Sequence, residues 1–253
     1  MLTVSIVTHN TPMAQLRKAV ECIMRSPRVT GIHIVDNSPT HPDLSVLGSQ
    51  FPTLKAHYVE NRGFGAGHNV AIREALKGNP DGYHLVMNAD VWWEGDVLTP
   101  ILEFLDGNPD VGLLGSRTVY PDGTLQHTVR ELPTPFISLA RRFVPGFLTR
   151  KRMRRYLMAD TDHSKPIEAK YLIGCFLMFR NSALADCGLF DERFFMYPED
   201  IDITRRISER HRALYWPGVT IVHEHQRASR KSLKMLSIHC VNMIRYFNKW
   251  GWR

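Results

Sequence analysis

Tyr83-His84-Leu85-Val86-Met87-Asn88-Ala89-Asp90 decides the fold. An apolar run ends there in a carboxylate, and Val91-Trp92-Trp93-Glu94-Gly95 opens a loop directly after it. A short buried strand with a polar carboxyl end belongs to an open α/β sheet, whose ligands gather outside the strand ends. Asp90, with Asn88 two residues before it, suits a hydrated divalent cation and the diphosphate it carries. The competing reading makes Asp90 a cap for a helix beginning near Gly95. This stretch alone does not choose between the two.

The preceding chain repeats the pattern. Val4-Ser5-Ile6-Val7-Thr8 ends in His9-Asn10-Thr11-Pro12, and Leu16, Ala19, Val20, Ile23 and Met24 follow at helical spacing. Ile32-His33-Ile34-Val35 ends in Asp36-Asn37-Ser38-Pro39. A weaker strand from Ala56 to Val59 runs into Glu60-Asn61-Arg62-Gly63-Phe64-Gly65-Ala66-Gly67-His68-Asn69, and a helix from about Ala66 to Leu76 leads on to Tyr83. Strand alternating with helix implies a parallel sheet with right-handed crossovers. His9-Asn10, Asp36-Asn37 and Asn88-Ala89-Asp90 therefore converge on one edge. Gly63, Gly65 and Gly67 do not complete G-x-G-x-x-G, because His68 holds the sixth position, and no Walker lysine follows. They read as a tight turn into a helix, or as glycines that let the backbone approach a nucleotide closely.

The following chain changes character. Tyr120-Pro121-Asp122-Gly123-Thr124 reads as a turn within a hairpin. Tyr171 to Phe179 reads as one buried strand, and a helix runs from Pro198 to about His211. Val219 to His225 reads as the last strand, and Ser232 to Trp250 as an amphipathic helix. These readings divide the chain into a nucleotide-binding half (1–115), an acceptor-binding and catalytic half (116–228) and a basic C-terminal helix (229–253).

Glu199, Asp200 and Asp202 crowd the start of the Pro198 helix. Dipole compensation and capping explain part of that. A carboxylate there could also take a proton from an attacking hydroxyl. Asp200-Ile201-Asp202 spells D-x-D and competes with Asn88-Ala89-Asp90 for a metal. We assign the metal to the strand end and the base to the helix start. His223 ends a strand and could give a neutral imidazole to the same cation, whereas His225 points to the opposite face.

Composition narrows the classes. The chain has 253 residues, 43% of them hydrophobic, enough for one large domain or two small ones. No apolar run is long enough to span a membrane, and no secretory signal opens the chain. Cys22, Cys175, Cys187 and Cys240 lack metal-like spacing and read as reduced, buried residues of a cytoplasmic protein. Of the 32 Lys and Arg, fourteen fall in two stretches without acids. One holds Arg141, Arg142, Arg150, Lys151, Arg152, Arg154 and Arg155; the other Arg227, Arg230, Lys231, Lys234, Arg245, Lys249 and Arg253. The remainder carries 18 basic and 25 acidic residues, so the net +7 conceals an acidic body with local anion-docking surfaces. That distribution, with no nucleic-acid motif, excludes a uniform nucleic-acid binder.

Seven ordered blocks carry a resemblance. They are Val4–Asn10, Val35–Ser38, Glu60–Gly65, Asn88–Asp90, Gly174–Met178, Tyr197–Asp202 and Val222–His225. From Val4 to about Ser229 the chain resembles the inverting GT-A glycosyltransferases of family 2, especially bacterial rhamnosyltransferase-like enzymes of O-antigen and capsule assembly. The resemblance implies an α/β GT-A fold: a Rossmann-like nucleotide-binding half with a mostly parallel central sheet, an acceptor-binding half and the C-terminal amphipathic helix. It implies that Thr8, His9, Asn10, Asp36, Asn61, Arg62 and Asn69 hold the base and ribose of a dTDP- or UDP-sugar, with Gly65, Asn88 and Glu199 among the substrate contacts. Asp90, assisted by His223, would hold Mg²⁺ or Mn²⁺, and Asp200 would be the catalytic base. The family's D-x-D stands here as Asn88-Ala89-Asp90, which leaves the metal fewer protein ligands.

The acceptor would be a glycan or a polyprenyl-diphosphate-linked sugar in bacterial cell-surface polysaccharide synthesis. The enzyme would then sit on the cytoplasmic membrane's inner face, with the Arg150–Arg155 stretch and the aromatic-rich C-terminal helix (Tyr246, Phe247, Trp250, Trp252) docked on anionic lipid. Two alternatives stand beside this one. A sugar-nucleotide nucleotidyltransferase would need a Gly-rich basic loop after the first strand, where this chain has His9-Asn10-Thr11-Pro12. A non-catalytic nucleotide-sugar-binding protein would not need Asp200.

Overall fold

A computed structural model describes residues 1–138, 144–224 and 233–252. The strand that ends just before Asn88 is β4 (Tyr83–Met87), and all five of its residues are buried. β1 (Leu2–Thr8) lies parallel to it, β2 (Val29–Asp36) parallel to β1, and β3 (Leu54–Tyr58) parallel to β2. The crossovers carry α1 (Met13–Ile23), α2 (Ser45–Gln50) and α3 (Phe64–Gly78). Leu16, Ala19, Val20 and Ile23 of α1 are buried, as their helical spacing requires.

Beyond β4, the short β5 (Val91–Trp92) precedes α4 (Leu98–Asp106) and β6 (Val111–Val119). β7 (Leu125–Gln126) folds back on β6 through the expected turn, pairing Val119 with Leu125. β8 (Val129–Arg130), α5 (Gly146–Tyr156), β9 (Ile167–Glu168), β10 (Tyr171–Leu172), β11 (Phe176–Arg180) and α6 (Asn181–Cys187) follow. The chain ends with α7 (Glu199–Ser208), β12 (Arg212–His223) and α8 (Leu233–Trp250).

The strand order is β3-β2-β1-β4-β11-β6-β12-β5. β11 runs antiparallel between β4 and β6, while β12 is parallel to β6 and antiparallel to β5. The sheet is therefore mixed, with a parallel nucleotide side. The expected division after residue 115 falls inside β6, and β11 and β12 of the second half lie in the same sheet as the first.

Two local expectations change. Tyr171 to Phe179 is not one strand. It breaks at Ile173-Gly174-Cys175, so that β10 pairs with β8 while β11 enters the main sheet. The last strand starts at Arg212 rather than Val219 and shifts register between Trp216 and Thr220, around Pro217-Gly218. In the basic segment, Gly146–Tyr156 forms one helix. Arg141, Arg142, His225, Arg227, Arg230, Lys231 and Arg253 lie outside the described residues, as does the Lys234 side chain. Of the cysteines, Cys22 and Cys175 are buried, whereas Cys187 and Cys240 are partly exposed.

α8 docks on the second half. Met243, Tyr246 and Phe247 are buried with Ile137, Tyr156, Tyr171, Phe194 and Ile201 in one apolar cluster. Burying each large side chain stabilises by about 1.5–3 kcal/mol. At the helix end, Lys249 Nζ pairs with Asp202 Oδ1 at 2.7 Å and Asp191 Oδ2 at 3.0 Å, while Trp250 Nε1 donates to Asp202 Oδ1 at 2.8 Å. Tyr246, Phe247 and Lys249 are therefore committed to the body, which removes them from the face expected to meet a membrane, whereas Trp252 is exposed. Among the described residues no helix is long and apolar enough to cross one.

Candidate active site

The main sheet brings Asp90 and His223 together. β12 pairs antiparallel with β5, opposing His223 to Val91, and Glu224 N donates to Asp90 O at 3.0 Å. His223 Nε2 then lies 3.3 Å from Asp90 Oδ1. Gln126, at the β7 end of the hairpin, fixes the ring. Its Nε2 donates to His223 O at 2.6 Å, so its Oε1, 3.0 Å from His223 Nδ1, must accept from that nitrogen. The proton on Nδ1 leaves Nε2 facing the carboxylate, the arrangement by which an outer partner orients a metal-binding imidazole. Burial opposes a second proton, but the Cys175 sulfur and the Asp90 carboxylate outweigh it and raise His223 to about 10, so a cation taking Nε2 as a ligand would displace that proton. An oxygen and a nitrogen at this spacing fit two ligands of one divalent cation.

Asp90 is not a helix cap. Asp96 Oδ1 takes the N–H groups of Leu98 and Thr99, both at 3.1 Å, and α4 starts there. The other His/Cys/Asp/Glu groups whose ligand atoms converge among the described residues, His33-His57-Glu74 and Asp186-Cys187-His211, include none of the expected ligands.

The second carboxylate site lies at the start of α7. Asp200 Oδ2 accepts from Gly174 N at 3.0 Å and from the Tyr171 hydroxyl at 3.5 Å, and its Oδ1 accepts from Ile201 N at 2.8 Å. The break between β10 and β11 thus presents a backbone N–H to this carboxylate. A Cβ on Gly174 would lie 3.3 Å from Asp200 Cβ, so a side chain there would crowd the contact. The next residue, Cys175, accepts from Asn88 N at 3.0 Å, and its sulfur neighbours His223. The Gly174-Cys175 peptide is therefore a bridge from Asp200 to the Asn88–Asp90 strand end.

Burial raises Asp200 from its usual 3.8 to about 7, against the opposing N–H groups of Gly174 and Ile201 and the Arg130 charge. Burial, then the Asp200 charge, push Glu199 well above the usual carboxylate range. Glu199 Oε2 is buried without a hydrogen bond. Asp202 is fully buried, bound by Arg206 Nε at 2.9 Å as well as by Lys249 and Trp250. The three carboxylates thus divide into a neutral acid, a base near neutrality and an anchor for α8, and the D-x-D of this helix is not a metal site.

At the nucleotide edge, Asp36 is sealed. Its carboxylate accepts from Thr8 Oγ1 at 2.9 Å, Ser38 Oγ at 2.7 Å and His41 Nδ1, and these bonds outweigh burial to hold it below its ordinary value. His9 and Asn10 are exposed beside it. His9 Nδ1 meets Asn37 Oδ1 at 3.1 Å, and Asn61 Nδ2 lies 3.4 Å from the same ring nitrogen.

Two residues of the Gly-rich block take a different place from the one expected. Asn69 Nδ2 donates to Phe190 O at 2.9 Å and to Glu192 at 3.0 Å, and its Oδ1 accepts from Phe190 N at 3.1 Å. A Cβ on Gly65 would lie 2.7 Å from Phe190 Cβ. Both are thus occupied in clamping the loop that leads into α7. Gly63 needs its positive φ of 103°, and a Cβ there would strike Phe195 O at 2.1 Å. Arg62 is exposed and reaches Glu192 at 3.4 Å.

Comparison with known proteins decides the class: residues 3–188 match the model of glycosyl transferase family 2. The chain belongs to that family. The family 2 relatives include the N-acetylglucosaminyl-diphospho-decaprenol L-rhamnosyltransferase of Mycobacterium tuberculosis, 24% identical over 88% of this chain and 76% of the relative. Rhamnosyltransferase WbbL of Escherichia coli K12 is 24% identical over 73% of this chain and 69% of its own.

Solved structures agree on the fold. GalNAc-T7 with UDP, GalNAc and Mn²⁺ superposes at a TM-score of 0.64 with 14% identity, over 88% of this chain and 43% of that one. The Pyrobaculum calidifontis mannosyltransferase PcManGT with GDP-Man and Mn²⁺ gives 0.61 with 18% identity, over 96% and 64%. This family 2 member is thus a glycosyltransferase with a GT-A fold.

Gln126, Arg130 and Tyr171 stand at its site without having been singled out in the sequence. Their roles come from pairings such as Gln126 with His223, 97 residues apart, for which no local motif exists.

Proposed function

We propose that the protein is an inverting glycosyltransferase that moves a sugar from a dTDP- or UDP-sugar to a hydroxyl of a diphosphate-linked lipid acceptor. The mycobacterial and E. coli relatives, rhamnosyltransferases by name, support rhamnose as the sugar. The observation that carries the reading is Asp200. It is a buried carboxylate, titrating near 7, joined to the Asp90 strand end through one peptide. Near neutral pH such a group is ionised enough to accept a proton and basic enough to hold it. The acceptor oxygen attacks the anomeric carbon opposite the leaving diphosphate, and Asp200 Oδ takes its proton. A single displacement inverts the configuration. Mg²⁺ or Mn²⁺ held by Asp90 and His223 would supply neutralisation of the charge growing on the leaving diphosphate. His9, Asn10 and Asn61, at the open end of β1 and beside it, offer donors and acceptors to the base and ribose. Thr8 and Asp36 hold that corner in shape from behind.

An exposed apolar and cationic surface supports the lipid-linked acceptor. On α5, Phe147 is 80% and Leu148 66% exposed, directly before the cations Arg150, Lys151, Arg152, Arg154 and Arg155. Exposed apolar side chains among cations suit the boundary of an anionic bilayer. The function is tested by supplying dTDP-β-L-rhamnose and a set of UDP-sugars with a synthetic N-acetylglucosaminyl diphosphate lipid and Mn²⁺. NMR of the product then gives the new linkage. A β-linked donor sugar should emerge α-linked. Retained configuration would refute the single displacement. Donor binding without transfer from any of these sugars would favour the binding-protein alternative.

A further inference from the structure

Among the described residues, Arg130 is a cation near Asp200 that the reaction above leaves unused. It lies on β8, directly across from Tyr171 on β10, whose hydroxyl donates to Asp200. Its guanidinium carbon is 5.7 Å from the centre of the Tyr156 ring and 6.0 Å from that of Tyr171. Nε donates to His127 O at 2.9 Å, and the group also hydrogen-bonds Tyr156. Glu131, next in the chain, turns away to Lys170 at 3.1 Å. Among the described residues Arg130 forms no ion pair, and Asp200 acts on it only at longer range. Packed beside two aromatic rings, with Asp200 at longer range, the guanidinium keeps its charge despite burial. Its remaining N–H groups form a planar fork suited to phosphate oxygens.

We infer that Arg130 binds the diphosphate of the acceptor, one sugar ring away from the hydroxyl that Asp200 activates. The inference rests on the proposed transfer to a diphosphate-linked lipid. The side of the site identifies the acceptor as the owner of the anion. In an in-line displacement the leaving diphosphate and the attacking hydroxyl lie on opposite sides of the anomeric carbon, and the donor's diphosphate belongs with Asp90 and His223. Arg130 stands with Tyr171 and Tyr156 on the Asp200 side of the site. Tyr156 is also the last residue of α5, so the cations and exposed Phe147 and Leu148 of that helix continue outward from Arg130, the direction a prenyl chain would take.

The test needs no turnover. Farnesyl diphosphate, farnesol and inorganic pyrophosphate are titrated calorimetrically in EDTA, which removes metal-dependent capture at the donor side. Farnesyl diphosphate should bind the parent, and Arg130→Met should weaken it roughly tenfold or more. Farnesol should bind neither protein measurably. Arg130→Lys keeps the charge but not the fork and should fall between the two; it carries the test if the Met variant melts early. Equal affinity of parent and both variants, or no binding by the parent, would overturn the inference. So would pyrophosphate binding as tightly as the prenyl compound, which would mark a free-anion site. In the transfer assay, Arg130→Met should raise KM for the diphosphate-linked acceptor and leave KM for octyl N-acetylglucosaminide within about threefold. Because the Arg130 charge also holds Asp200 down, kcat should fall alike on both acceptors; a KM that rises equally on both, or on neither, would make Arg130 only a support for Asp200. Should the parent transfer to neither acceptor while Arg130 still governs prenyl diphosphate binding, the proposed reaction fails and the anion site stands.

Discussion

Replacing Asp200 by Asn should make the protein more stable and nearly inactive, with a pH dependence that ties both effects to one proton. The buried carboxyl titrates near 7 instead of 3.8. Between those values the native state keeps a proton that the unfolded chain has released. Stability therefore falls as pH rises, by about 1.4 kcal/mol per pH unit and on the order of 4 kcal/mol across the interval. The sign follows from the raised carboxyl: the penalty is absent below about pH 4 and complete above about pH 7. Asn carries no charge but loses one of the two backbone N–H bonds, from Gly174 or Ile201, worth about 1 kcal/mol. The variant should then exceed the parent by about 3 kcal/mol at pH 8 and by under about 1 kcal/mol at pH 5. Urea unfolding at the two pH values, followed by tryptophan fluorescence and circular dichroism, measures the gap. Transfer should drop by about 10²–10⁴-fold, and the parent's kcat should rise through about pH 7 to a plateau. A gap that does not widen from pH 5 to 8, or a variant less stable than the parent at pH 8, would refute the burial argument. Undiminished transfer would refute the base.

Two carboxylates six residues apart should respond in opposite ways. Asp96→Ala removes the α4 cap, so it should lower stability by about 1 kcal/mol in urea and leave Mn²⁺ binding unchanged. Asp90→Ala should abolish calorimetric Mn²⁺ binding in the presence of nucleotide, and the same metal affinity in both variants would overturn the assignment. Liposomes containing anionic lipid should sediment the protein at low salt. Phe147→Glu with Leu148→Glu should release it, while neutral liposomes that bind it equally well would remove the electrostatic part.

The parallel side of the fold was legible because each of its strands is an apolar run with a polar end, and that pattern follows from burial on both faces with ligands at one edge. The same pattern sets His9, Asp36 and Asp90 at or just beyond the polar ends of β1, β2 and β4. The register of β11 was not legible. Nothing local distinguishes an antiparallel insertion between β4 and β6 from a further parallel strand, since both are short apolar runs. Part of the Gly-rich block's packing is hidden for the same reason. A glycine's freedom is visible in sequence, but what crowds it is not, and at Gly65 the neighbour is Phe190, 125 residues away. Asn69 shares that neighbour, so the block serves the loop before α7 as well as the nucleotide edge.

The sorting of Glu199, Asp200 and Asp202 depends most on contacts the sequence hides. Two adjacent buried carboxyls cannot both hold a charge, so one of them must keep its proton. Asp200 receives N–H groups from Gly174 and Ile201, whereas Glu199 Oε2 receives none, so the charge goes to Asp200 and the proton to Glu199. Asp202 avoids the contest because Arg206 and Lys249 neutralise it. What selects the base is thus the strand break at Ile173-Gly174-Cys175, a feature that looks in sequence like the middle of a continuous strand. A side chain at Gly174 would crowd Asp200 and disturb the N–H bond that favours its ionised form. The identity of the base is therefore set as much by that glycine as by the carboxylate itself.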